Sequence, residues 1–330
     1  MSFFRKSKKK VLVLWYTYKK NLGDYYIYAT VKGYLQKWGY DIIDMDVGLP
    51  YEKIAKVAKR CDFMWFAGGG IIERWIPDII LNFKKFYEIS NQIKYGVSGL
   101  SIGGFSYDNN ADCLSYWIEK SAFFFSRDKY TAFELNRLSN SNKVTESVDV
   151  VFALDLSTVR DLSDDYLGIN FRELPYKDIT GEFQWNNWEN EIRKISTQNV
   201  IVIPDQDDVS SYITYDLTCK YSPQNALNII SKCDFLIAMR YHVVLLAARM
   251  GKLSIPICYC PKVERLAEQL GLNHLMLNID GYDKLEDKMN LLLENKINLE
   301  NSVKEKVEEN EKVSQQMFCK IKCILEKELF

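Results

Sequence analysis

Two rhythms of apolar residues alternate along this chain. Short, largely apolar runs recur at 11–17, 41–45, 63–67, 95–100, 122–126, 166–171, 200–204, 235–238 and 253–258. Between them lie stretches whose apolar positions fall three and four apart, at 25–38, 51–60, 77–93, 112–120, 128–138, 188–196, 207–220, 223–232, 243–250 and 263–271. The short runs predict buried strands and the longer stretches amphipathic helices. Their alternation predicts parallel α/β sheets with helical crossovers. A short strand at 144–145 and a loop-like apolar segment at 149–154 close a first series. The polar, charged stretch 159–165 reads as a linker, and a second series follows, with a long loop at 174–185.

A chain of 330 residues exceeds one compact core. The patterning divides it into an N-terminal Rossmann-like domain (1–162), a C-terminal Rossmann-like domain (163–280) and a helical tail (281–330). The tail is expected to be mostly one amphipathic helix, 301–329, packed across the domain junction. Two α/β halves imply a cleft faced by the strand ends of both. No repeat at solenoid periods is present.

Composition narrows the function classes. The chain is 47% apolar and 26% charged with a net charge of −1, ordinary for a globular protein. No basic field favours nucleic acid as a partner. The 21 tyrosines fit both a large core and a sugar-handling surface. Eight cysteines form no CxxC pair and lie mostly in apolar segments, which fits a reducing cytoplasm rather than a disulfide framework. No Cys/His cluster has the spacing of a metal site. The N-terminal apolar run is too short for a signal peptide and runs into Lys19–Lys20, and no segment is long enough to span a bilayer. The basic stretch Lys6–Lys10 reads as a solvated tail that admits weak association with a membrane surface.

The candidate chemistry sits at predicted strand ends, where ligands bind in open parallel sheets. Asn21, Gly23 and Asp24 form a turn into the first helix, suited either to a ligand at the helix start or to Asp24 capping it. Gly68, Gly69 and Gly70 follow a wholly apolar strand and allow either a ligand or a tight turn there; the run is neither GxGxxG nor a Walker motif. Arg127, in Ser126-Arg127-Asp128, faces the cleft or pairs with an acid at the surface. Arg172 ends the first strand of the second half, Arg240 and His242 end a later one, and Tyr259 and Lys262 follow the next. Four cations, Arg127, Arg172, Arg240 and Lys262, are thus expected at one mouth, suited to carboxylate and phosphate. His242 is one of two histidines; beside a cation it can act as acid or base near neutral pH, whereas His274 reads as structural.

These residues resemble a known family. NxGD at 21–24, GGG at 68–70, SRD at 126–128, DVVFAL at 149–154, GINFR at 168–172, RYH at 240–242 and IPICYCPK at 255–262 occur in the order seen in polysaccharide pyruvyl transferases. The resemblance covers about residues 11–270 and implies a GT-B-like fold of two Rossmann-like domains. It implies transfer of the pyruvyl group of phosphoenolpyruvate, the donor substrate, to a sugar of a cell-surface polysaccharide or its lipid-linked precursor, as a ketal, with no further cofactor and no metal. By motif match, Arg127, Arg240 and His242 are the implied phosphoenolpyruvate-site residues, with Lys262 a further candidate. Such an enzyme is expected in the cytoplasm, at most peripheral to the inner membrane face. The acceptor is not implied, because the N-terminal half varies widely in the family. Two other readings stand beside it. A GT-B nucleotide-sugar glycosyltransferase would use the same cations for a diphosphate and needs a ribose partner, for which Glu264 is the one acidic candidate. A non-catalytic sugar-binding member of a biosynthetic complex would need neither Arg240, His242 nor Lys262.

Overall fold

The computed structural model describes residues 8–16, 21–72, 76–90, 93–102, 111–159, 162, 165–172, 185–195, 199–203 and 222–330. The expected helix at 207–220 and nearly all of the expected loop at 174–185 lie outside these residues, as does part of the basic N-terminal stretch. Two compact units emerge: one holds the residues up to 20, 24–154 and 312–330, the other 21–23 and 155–311.

The first unit is a parallel sheet of β1 (Lys10–Trp15), β2 (Asp41–Asp46), β3 (Phe63–Phe66), β4 (Gly69–Ile72), β5 (Lys94–Ile102) and β6 (Phe123–Ser126). The order is β2-β1-β3-β5, with β4 following β3 along one side of β5 and β6 on its other side. The expected strand at 144–145 is a single bridge, Phe125 to Thr145. Crossovers are α1 (Leu22–Lys37), α2 (Tyr51–Ala58), α3 (Ile76–Ser90), α4 (Ala111–Lys120) and α5 (Lys129–Ser139). β3 is apolar at every position because helices cover both of its faces. On one face Met64 and Phe66 join Phe83, Tyr95 and Trp117 in an apolar cluster. On the other, Trp65 packs near Trp38 and Phe318, and Phe318 stacks on Tyr34 at 3.8 Å between ring centroids.

Of the two readings of the triple glycine, the tight turn is not what forms: Gly69 and Gly70 begin β4. Gly68 and Gly69 have φ of +97° and +113°. A Cβ on Gly68 would lie 2.0 Å from the carbonyl oxygen of Ser98. The glycine therefore lets the β3–β4 chain run against β5 at its irregular point, beside Gly99.

The second unit orders its strands β8 (Asn199–Val202), β7 (Tyr166–Asn170), β9 (Cys233–Ala238), β10 (Leu253–Cys258) and β11 (Leu277–Asn278), all parallel. β11 is too short to leave a periodic signature. The helices are α6 (Trp185–Ile195), α7 (Pro223–Lys232), α8 (Tyr241–Arg249), α9 (Pro261–Gln269) and α10 (Leu285–Glu294). The chain leaves β7 for β8 on one side and returns to β9 on the other, which makes the β7–β9 junction a topological switch point, the place where such sheets bind ligands. The tail helix α11 (Lys296–Leu329) starts earlier than its periodicity suggested; residues to 311 count with the second unit and the rest with the first. Among the described residues no helix is long and apolar enough to cross a membrane.

Candidate functional site

The second sheet gathers three of the four candidate cations at the carboxyl ends of three adjacent strands. Arg172 follows β7, Arg240 and His242 follow β9, and Tyr259 and Lys262 follow β10. Neighbouring strands lie about 4.8 Å apart, so these positions share an edge roughly 10 Å long. Arg240 is the N-cap of α8, with His242 in its first turn; Lys262 sits in the first turn of α9, behind Pro261. Both helix starts present positive dipole ends to the same edge.

Asn170 holds this edge together. It is the last residue of β7 and fully buried. Its carboxamide oxygen accepts from the Arg240 N–H at 3.1 Å, and its amide donates to the Ile203 carbonyl at 3.0 Å. One side chain thus ties the ends of β8 and β9 across β7, fixing the backbone from which Arg240 and His242 project. Asn170 was not among the residues singled out from sequence, although a polar residue closing an apolar strand is a detectable signal. Arg172 reaches two strands along: it donates to the Tyr259 hydroxyl at 3.3 Å, with its guanidinium carbon 5.5 Å from the Tyr259 ring centre.

His242, half-buried, meets a motif from far earlier in the chain. Asn21 precedes α1 and its side-chain oxygen accepts from the Gly23 N–H at 2.8 Å. A Cβ on Gly23 would lie 1.8 Å from Nδ1 of His242, so the imidazole rests directly on the Gly23 backbone. Asn21, Gly23 and His242 all belong to the second unit. The NxGD residues form the expected turn into α1, with Asn21 rather than Asp24 at the capping position. Asp24, in that turn, counts with the first unit. There burial, then the nearby carboxylates of Asp24 and Asp46, push the Tyr16 phenol well above its ordinary pKa.

Arg127 lies in the first unit, after β6, and is buried at 2% exposure. Its guanidinium Nη1 is 3.5 Å from a carboxylate oxygen of Asp149, itself 0% exposed. A buried guanidinium needs a counter-charge, and Asp149 supplies it in place of the surface partner that was one expectation. Neighbouring Asp128 instead caps α5, accepting from the Thr131 N–H at 2.8 Å. Gly68 and Gly69 are buried beside β5, and Gly70 lies in β4. The structure thus brings Asn21, Gly23, Arg240 and His242 together with Asn170, and Arg172 with Tyr259.

A family model described as polysaccharide pyruvyl transferase matches residues 11–261. No curated protein sequence matches the chain. Among solved structures, a putative UDP-N-acetylglucosamine 2-epimerase from Listeria monocytogenes is similar at 12% identity, TM-score 0.61, over 97% of this chain and 98% of that one. The UDP-GlcNAc 2-epimerase of Neisseria meningitidis bound to UDP-GlcNAc follows at 12% identity and TM-score 0.59, over 93% and 98%. An α-glucosyltransferase in complex with UDP has 11% identity and TM-score 0.52, over 94% and 96%. At such identities the likeness is one of fold, and that fold is GT-B-like.

Proposed function

Because the chain belongs to the polysaccharide pyruvyl transferase family, we propose that it transfers the pyruvyl group of phosphoenolpyruvate to a sugar of a polysaccharide or its lipid-linked precursor, forming a ketal. One observation carries this reading beyond the family: Arg240 and His242 stand together at the switch point of the second sheet, with Asn170 fixing their backbone and Gly23 seating the imidazole.

Phosphoenolpyruvate presents a phosphate and a carboxylate. Arg240, Arg172, Lys262 and the starts of α8 and α9 supply cations and N–H donors for both, and Arg127 is proposed as a further ligand on the family motif. Tyr259 positions Arg172. His242, as imidazolium, gives its proton to the methylene carbon, which becomes the methyl group. A sugar hydroxyl adds to C2 and gives up its proton. The bond from C2 to the phosphate oxygen then breaks, phosphate leaves, and a second hydroxyl of the same sugar adds to C2 as its proton leaves. One hydroxyl proton restores His242 and the other departs with phosphate, so donor and diol yield ketal and inorganic phosphate in balance. Asn21, Asp24 and Gly68–Gly70 are proposed to border the substrate without taking a proton. A cytoplasmic location, with the basic N-terminal stretch touching the inner membrane face, would bring the enzyme to a lipid-linked acceptor.

The test is direct. Purified protein is given phosphoenolpyruvate and candidate glycan precursors, with phosphate release and the product mass followed. The wild type should release phosphate and add pyruvyl minus water; His242→Ala should stay folded and lose nearly all turnover. Near wild-type transfer by that variant would sink the assignment. The rival reading, a nucleotide-sugar glycosyltransferase, draws on fold likeness alone; a thermal shift with a nucleotide sugar and none with phosphoenolpyruvate would favour it.

A further inference from the structure

Resting on the reading that the acceptor is a glycan, we propose that the groove between α6 and the 3-10 turn Gly281–Lys284 binds a neutral stretch of that glycan, beyond the sugar that reacts. The groove lies wholly within the second unit. Its volume of about 380 Å³ falls within the roughly 300–1,000 Å³ of small-molecule sites. Asn187, Asn190, Glu191, Arg193 and Lys194 line it from α6, and Tyr282 lines it from the turn.

The two walls are locked together from beneath. Trp188, fully buried, projects from α6 and donates through Nε1 to the Ile279 carbonyl at 2.9 Å. Tyr282 meets the Trp188 ring edge to face, with 6.2 Å between centroids and 77° between planes. The same indole packs on Phe171 at 5.7 Å. Phe171 is bonded to Arg172 of the donor edge. One buried side chain therefore fixes both walls and ties them to the end of β7, so the groove is formed before any ligand arrives and little ordering is needed on binding.

The lining suits hydroxyls. A carboxamide both donates and accepts hydrogen bonds, as a sugar hydroxyl does. Asn187 and Asn190 stand three residues apart on α6, hence on one face. Glu191 adds acceptor oxygens, and half-buried Tyr282 adds an aromatic body with a polar tip. The charges cancel along the helix: Lys194 donates to Glu191 at 2.6 Å and Arg193 to Glu189 at 2.7 Å. The groove thus carries no excess cation for a phosphate, unlike the edge that holds Arg172, Arg240 and Lys262. A neutral, polyhydroxylated chain is the ligand that such a lining selects. Contacts to sugars remote from the reacting one add binding without altering the chemical step.

The test compares a short acceptor, holding only the reacting sugar, with one extended by several neutral sugars. The proteins are the wild type, Asn190→Ala, Asn190→Trp and the double variant Asn190→Ala/Tyr282→Ala. Asn190 is exposed, so its single variants keep the fold even if loss of the Tyr282 contact with Trp188 unfolds the double variant. The wild type should show a lower KM for the long acceptor than for the short one. Losing two side-chain contacts should raise the long-acceptor KM about ten-fold in the double variant, and Asn190→Ala should fall between it and the wild type. The kcat, the short-acceptor KM and the phosphoenolpyruvate KM should stay unchanged in both. Asn190→Trp, which fills the groove, should abolish the preference for length. A wild type indifferent to length, or a folded Asn190→Trp that keeps the preference, overturns the role of the groove. A wild type that does not turn over phosphoenolpyruvate overturns the activity reading alone. The groove is then decided by isothermal titration with the long oligosaccharide and no donor. Binding to the wild type that is lost in Asn190→Trp supports it; binding kept in that variant, or absent from the wild type, overturns it.

Discussion

Gly23 and His242 occupy space that only a glycine leaves open: a single added methyl on Gly23 would fall 1.8 Å from the imidazole Nδ1. Gly23→Ala must therefore move the ring. With His242 as the acid, the variant should fold and lose about 100-fold in kcat, as a misplaced reacting group does. In a His242→Ala background the same change should cost almost nothing more, since the clash is gone. Steady-state kinetics of both single variants and the double measure this; full additivity would show that Gly23 acts elsewhere.

Asn170 serves two backbone groups at once. Asn170→Ala leaves the Arg240 N–H and the Ile203 carbonyl buried without it, at roughly 1–3 kcal/mol for each unsatisfied group. Urea unfolding should show a loss of about 2–6 kcal/mol with the m-value unchanged. Turnover should fall further than stability alone accounts for, because the Arg240 backbone loses its tie.

At Gly68 the neighbour is backbone, which cannot swing away. An alanine there combines φ of +97° with a Cβ 2.0 Å from the Ser98 oxygen. Gly68→Ala should cost at least about 2 kcal/mol in chemical denaturation. A change within about 0.5 kcal/mol would mean that β5 yields at this point.

The cysteines should separate by reactivity. Burial first, then Glu264, Cys260 and Glu268, push the Cys258 thiol up to about 12. Burial likewise raises Cys233 to about 12, with Asp234 adding to it and Lys252 opposing it. A raised thiol pKa leaves almost no thiolate at pH 8, so alkylation of both should be slow. Cys319 and Cys323 are exposed on α11. Peptide mapping after brief iodoacetamide treatment at pH 8 should find label at Cys319 and Cys323 before Cys233 and Cys258.

Some of this was legible in the sequence and some was not, for identifiable reasons. The strands β3, β6 and β9 showed because they are largely buried and carry short apolar runs, at 63–66, 123–125 and 235–238. The placement of Arg172, Arg240 and Lys262 along one sheet edge showed because each follows an apolar run that reads as a strand. The pairing of Gly23 with His242 did not show, since it depends on which loops the folded topology brings together. The glycine run was legible as a place of close backbone approach, but not which neighbour it approaches: Gly68 lies against the Ser98 carbonyl, and Gly69 and Gly70 begin a strand rather than a tight turn. Asp149 sat inside an apolar segment whose 3-10 turn has no periodic signature.

The division of α11 has a consequence for how the chain is made. Phe318 stacks on Tyr34 and packs beside Trp65, Met317 lies against Ser147, and Lys94 pairs with Glu328, so the last stretch of the chain completes the core around β1 and β3. A nascent chain leaves the ribosome at about 5–20 residues per second. The strands of the first unit all precede residue 155, but the helix residues that cover them, 312–330, are made only after the whole of the second unit. The first unit therefore completes its core after the second has all of its residues, although its strands emerge first.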